Sequence, residues 1–154
     1  MTVRDRRGDW DALVARIRRL GRAKLTVGIH GEDTDRDDGD ATNALVGTVH
    51  EFGLGVPRRS FLNDTIDQRR REVAAILTRA VRAVAAAPGA RPLDRAAQEI
   101  AGLVQTRIAE GIEPALGAAA LAERERRGGD SGEGVPLILS GQLRASILGK
   151  AKGG

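Results

Sequence analysis

Both phenylalanines of the chain, and one of its two histidines, fall in one stretch, Val46-Gly-Thr-Val-His-Glu-Phe-Gly-Leu-Gly-Val-Pro-Arg-Arg-Ser-Phe-Leu62. A helical pattern that begins at Ala41 runs into Gly53, a kinked link follows through Gly55 and Pro57, and Ser60 is placed to cap a second helix. Large rings are scarce elsewhere, so Phe52 and Phe61 on either side of one tight link are expected to set how the two helices meet. The expectation is a structural corner of Phe52, Gly53, Pro57 and Phe61, locked from inside by both rings. Arg58 and Arg59 would then turn outward. His50 and Glu51 point about 100° apart on a helix, and no third residue orients them, so they do not form an acid–base dyad. His50, Glu51, Arg58 and Arg59 are therefore candidates for contact with a partner, and none of them is a catalytic candidate.

On either side of the corner the hydrophobic period switches. Trp10, Leu13, Val14, Ile17 and Leu20 recur at helical spacing, with Asp9 as cap, Gly21 as stop and Trp10 as a packing anchor. Lys24 to His30 alternates Leu25, Val27 and Ile29 with Thr26, Gly28 and His30, which reads as a strand with one buried side. Ala41, Leu45, Thr48 or Val49, and Phe52 form the stripe of the next helix, with Asp40 as its cap and His50 and Glu51 beside it. Ser60 then opens one long helix whose apolar face runs from Leu62 and Ile66 through Val73, Ile76, Leu77, Ala80, Val81 and Val84. Pro88 to Pro92 ends it. A further helix from Asp94 buries Ala97, Ile100, Leu103, Val104 and Ile108 and stops near Gly111 to Pro114. Two consecutive amphipathic helices on a short link predict an antiparallel pair. Ala115 to Glu125 favours helix but has a thin apolar face. Ser140 can cap a turn or two bearing Leu143 and Ile147, and Gly149 to Gly154 reads as a basic, frayed tail.

Composition narrows the function classes. The 154 residues fit one domain, with flexible loops at about 31–40 and 127–134. The chain has no cysteine, which removes disulfides, thiolate zinc sites and cysteine nucleophiles. Aromatics are only 2% of the residues, which disfavours base-stacking platforms for single strands. The first ten residues lack the apolar core of a signal peptide, and no apolar run approaches the roughly 18 residues of a membrane span. A protein made in the cytoplasm, with no membrane partner, is expected. Net charge is +4 and the pI is near 10.5, a balance compatible with nucleic acid and equally with an Arg- and Ala-rich composition.

The chemical motifs fail one by one. Asp33-x-Asp35-x-Asp37 has the spacing of a calcium loop, but Asp38 stands where Gly is required and Ala44 where a bidentate Glu is required. Gly53-x-Gly55 lacks the third Gly and the Lys of a phosphate loop. His-Glu-x-x-His and Gly-x-Ser-x-Gly are absent, and two histidines cannot build a His-rich metal site. No catalytic, cofactor or metal residue is predicted, and enzyme function has no support.

Four segments carry a resemblance. Val27-Gly-Ile29 ends a strand before a polar loop. Ala44 to Gly53 closes on Val49-His-Glu-Phe-Gly53. Val56-Pro-Arg-Arg-Ser-Phe-Leu62 follows, and Pro136-Leu-Ile-Leu-Ser-Gly-Gln-Leu-Arg-Ala-Ser-Ile147 comes last. In this order and spacing, across about residues 24–148, the chain resembles the bacteriophage tail-completion and head–tail connector (neck) family, also described as virion morphogenesis or minor tail proteins. Ser60 replaces the family's usual Pro, and Ser140 its Thr. The resemblance implies an α+β fold, with a small antiparallel sheet packed against long amphipathic helices. It also implies a structural virion protein at the neck, a sixfold homo-oligomeric ring that completes or terminates the tail. Its partners would be the connector or stopper, the tail tube and, without sequence readout, DNA in the channel. Relatives continue after Ser-Ile with a strand that completes the sheet. Here either Ile147 to Lys152 supplies it or the sheet is smaller. The alternative function is a basic DNA-binding accessory protein, suggested by the pI and the run Arg69 to Arg71.

Overall fold

The computed structural model describes residues 7–31, 41–86, 91–126, 137 and 141–152. The element order is α1 (Arg7–Leu20), β1 (Lys24–Ile29), α2 (Asn43–Phe52), α3 (Asn63–Gln68), α4 (Arg70–Ala86), α5 (Pro92–Glu110), α6 (Ala118–Arg126), α7 (Gln142–Ala145) and β2 (Ile147–Lys152). The fold is α+β, with a two-stranded antiparallel sheet packed against helices. The loop at 32–40, the Asp40 and Ser140 caps, most of the Pro88 link and the 127–134 linker lie outside the described residues.

Helix α5 is the centre. Leu93, Ala96, Ala97, Ile100, Ala101, Val104 and Ile108 are all buried, the i, i+3, i+4, i+7 series continued along the helix. One side of it joins Phe61, Ile112 and Ile147 in a first cluster, and another joins Ile76 and Ala80 of α4 in a second. Helices α4 and α5 run antiparallel, as predicted. Arg79 pairs with Glu99 at 2.6 Å, and the earlier Arg69 with the later Glu110 at 3.5 Å. These exposed pairs mark direction more than they stabilise.

The sheet lies on α5. Lys24 stands opposite Lys152 and Ile29 opposite Ile147, so Ile147 to Lys152 does supply the second strand and is not a frayed tail. Leu25, Val27 and Ile29 face inward with Ile147, Gly149 and Ala151. Gly149 is required there, because a Cβ would run into the Ala97 backbone carbonyl of α5. The Gln98 and Gln105 side chains of α5 donate to Gly149 O at 2.8 Å and Ile147 O at 2.9 Å. That occupies carbonyls at the outer edge of β2, where a third strand would have paired.

Two expectations change here. The single long helix after Ser60 is two helices that break at Arg69, whose φ of −98° and ψ of 23° leave helical geometry. Just upstream, the buried Thr65 hydroxyl donates back to Phe61 O, a bond that bends helices. Trp10 is not a packing anchor. It is 65% exposed, and α1 joins the second cluster at its far end, through Leu20 and the following Ala23.

Candidate functional site

The α2–α3 corner is built from the end of α2 upward. Thr42 caps its start, its Oγ1 accepting from Leu45 N at 3.2 Å. Gly53 ends it at φ 71°, as the sequence predicts, and Leu54 N reaches back to Val49 O at 2.9 Å. A side chain at Gly53 would strain that φ and meet Arg58 Cβ at 2.9 Å.

Inside the corner sits a carboxylate. Glu51 is 5% exposed, and its oxygens accept from Ser60 Oγ at 2.7 Å, Leu62 N at 3.0 Å and Asn63 N at 3.0 Å. Ser60 Oγ in turn accepts from Asp64 N at 3.2 Å. Glu51 thus supplies the acceptors that the first turn of α3 lacks, a capping task performed from another helix. That contradicts its placement as an outward contact residue. An exposed Glu51 would take these acceptors away from the buried Ser60 hydroxyl and from two part-buried backbone N–H groups.

Arg58 and Arg59 part company. Arg58 stays outward, as expected, donating from Nε to Glu51 O and pairing with Asp64 at 3.1 Å. Arg59 is buried at 4% exposure, which corrects the expectation that it faces a partner. Its Nε donates to Pro114 O at 2.8 Å and its Nη2 to Ala115 O at 3.2 Å, tying the corner to the chain after α5, where the Glu113–Pro114 peptide is cis. Its backbone N–H closes on His50 O at 2.8 Å. His50 is half-buried, with its Nδ1 out of solvent and unpartnered. Burial, and then the Arg59 guanidinium, holds its pKa below the ordinary value of 6.5.

The rings part company as well. Phe61 is 3% exposed in the first cluster, whereas Phe52 is 61% exposed. Only one ring locks the corner, because α2 is turned over relative to its pattern. Its buried residues are Asn43, Gly47 and Glu51, spaced i, i+4, i+8, while Leu45 (54%) and Phe52 on the opposite side face solvent. Gly47 lets the helix press close, since a Cβ there would meet Ile29 Cδ1 at 2.7 Å. Sequence reasoning passed over that small and polar stripe, although its helical spacing was a legible signal. Pro57 is exposed in the link, and Leu54 beside it is 58% exposed.

A hollow of about 200 Å³ lies between β1, α2 and the start of α3, its wall made largely by Ile29, Thr48, Phe52, Phe61 and Leu62. It is below the roughly 300 Å³ at which ligand pockets begin. Among the described residues no three His, Cys, Asp or Glu side chains cluster as metal ligands, and no helix is long and apolar enough to cross a membrane. Comparison with family models, with curated proteins and with solved structures returned no match.

Proposed function

We propose that the chain is a structural subunit of a tailed-phage virion, acting at the head–tail junction through contacts and not through catalysis. Copies of it would form a closed, sixfold ring that completes the tail and meets the connector and tail-tube proteins. The resemblance of residues 24–148 to neck proteins supplies the class. One observation carries the emphasis on assembly: α2 buries its polar stripe and leaves Leu45 and Phe52 outside, continued by Leu54. A surface helix of a monomer turns its apolar face to the core, so the reversed arrangement supports reading this side as a surface for a partner. Arg58, outward beside it, gives that patch a charged rim of the kind interfaces have.

The test is mass photometry or sedimentation of the pure chain, alone and with tail-tube and connector proteins. A ring is expected for the native chain. Phe52→Ser combined with Leu45→Ser should leave a folded monomer, with stability changed by only about 0.5 kcal/mol, and no ring. A native chain that stays monomeric with every partner ends the proposal, and so does a double variant that still assembles. Arg59 is unsuited to this experiment, because charge reversal of a buried side chain would disrupt the fold itself.

A further inference from the structure

Of the three aromatic side chains in the sequence, two stand in solvent, Phe52 on α2 and Trp10 on α1. Trp10 shares one helical stripe with Leu13, Val14 and Ile17, of which Leu13 and Val14 are half-buried and Ile17 is exposed. Only the far end of α1 reaches the second cluster, through Leu20, whereas Phe61 and Leu62 of the corner belong to the first. The molecule therefore carries two exposed apolar surfaces, on different helices and over different parts of the core. Like patches that meet join two copies and stop. A closed ring needs two different patches that meet each other.

We infer that Trp10 of one copy is the anchor that enters the hollow beside Phe52 on the next copy. This contact rests on the assembly reading and names the two surfaces that meet. The hollow of about 200 Å³ is small for a free ligand and of a size to seat one large side chain. Ile29, Phe52, Phe61 and Leu62 make its wall mostly apolar, which suits the faces of an indole. A buried indole N–H needs an acceptor as well. Thr48, in the same wall, supplies one, because its hydroxyl donates to Ala44 O at 2.8 Å and keeps its own lone pairs. Tryptophan seated in such a pocket is among the side chains that most often dominate an interface. The rims match in charge. Exposed Asp9 and Asp11 flank Trp10, and among the described residues neither has an ion-pair partner. Arg58 stands outward at the corner, and Asp64, with which it pairs, is exposed too. One chain thus holds both halves of the contact, an apolar knob with an acidic rim and an apolar hollow beside an arginine, which selects a second copy as the occupant.

Trp10 is the only tryptophan, so intrinsic emission of the full chain reads its surroundings alone. As the chain is concentrated into its assembled state, followed in parallel by sedimentation, emission should move to shorter wavelength and acrylamide should quench it less. Trp10→Ser should keep its melting temperature, because the side chain is exposed, and should weaken assembly about 30-fold or more. The sharper step mixes Trp10→Ser with the Leu45→Ser, Phe52→Ser double variant, each monomeric by itself. The first brings an intact corner and the second an intact Trp10, so together they should form one-to-one dimers and nothing larger. Trp10→Ser carries no tryptophan, and the emission shift of the mixture therefore reports the other copy entering it. Absence of that dimer overturns the inference, as does Trp10→Ser assembling like the native chain. So does shielding of Trp10 in the double variant alone, which would mean that α1 meets α1, or a shift seen only when a connector or tail-tube protein is added. An assembly in which Trp10 stays fully quenchable defeats this contact and leaves the ring reading standing, whereas a chain that never self-associates ends both.

Discussion

Around α5, apolar side chains from the sheet, α4 and Phe61 close on one helix, and the backbone of β2 comes so near that only Gly149 fits. A few residues away the corner is held differently. Glu51, Ser60 and Arg59, all buried, fill it with carboxylate, hydroxyl and guanidinium, each bonded to a donor or carbonyl of another part of the corner or of the chain after α5. Packing of the first kind tolerates exchange among apolar residues of similar volume. The second kind is specific to its atoms, because each removed partner strands another polar group. The core holds the chain together, and the corner fixes one surface of it in one shape.

The largest test falls on the core side. Gly149→Ala should cost more than about 3 kcal/mol in urea unfolding, since neither strand nor helix backbone can yield cheaply. A loss under about 1 kcal/mol would mean that β2 does not press on α5, and the contrast with the corner would dissolve. Next comes the corner's own anchor. Glu51→Ala should cost about 2–4 kcal/mol, stranding three donors. Glu51→Gln should cost less, because one carbonyl oxygen still accepts. If the two variants were equally stable, the carboxylate would not be holding α3.

The smallest effect is a pH dependence. His50 has its pKa lowered by folding, so the unfolded chain binds that proton more readily. Its contribution is complete above the ordinary value near 6.5 and is lost as pH falls through that value toward the lower folded one. Melting temperature between about pH 7 and 5.5 should therefore drop more for the native chain than for His50→Gln. Parallel profiles for the two would show that His50 is indifferent to its burial beside Arg59.

Much of the scaffold is legible in the residue pattern. Leu25, Val27 and Ile29 announce a one-sided strand, the α5 series announces a buried helix, and Gly53 announces the cap that ends α2. The corner is less legible. Glu51 and Arg59 look like surface charges because charged residues are seldom buried, and their partners, at Leu62 and Asn63 in one case and Pro114 and Ala115 in the other, become visible only in space. In α2 a wide apolar stripe competes with a narrow one of Asn43, Gly47 and Glu51, and hydrophobic periodicity picks the wider.

What the sequence determines by itself is local: where helices and the first strand form, where Gly and Pro interrupt them, and which chemistries lack the residues they need. These follow from backbone preference and periodicity, which act over a few neighbours. The tertiary structure decided that Ile147 to Lys152 pairs with β1, that Phe61 goes in while Phe52 stays out, and that α2 lies with its polar side down. It also decided that two lysines 128 positions apart in the chain share one rung of the sheet. Each of these depends on which distant groups arrive to satisfy a buried donor or to occupy an edge, and that information is not carried by any single segment.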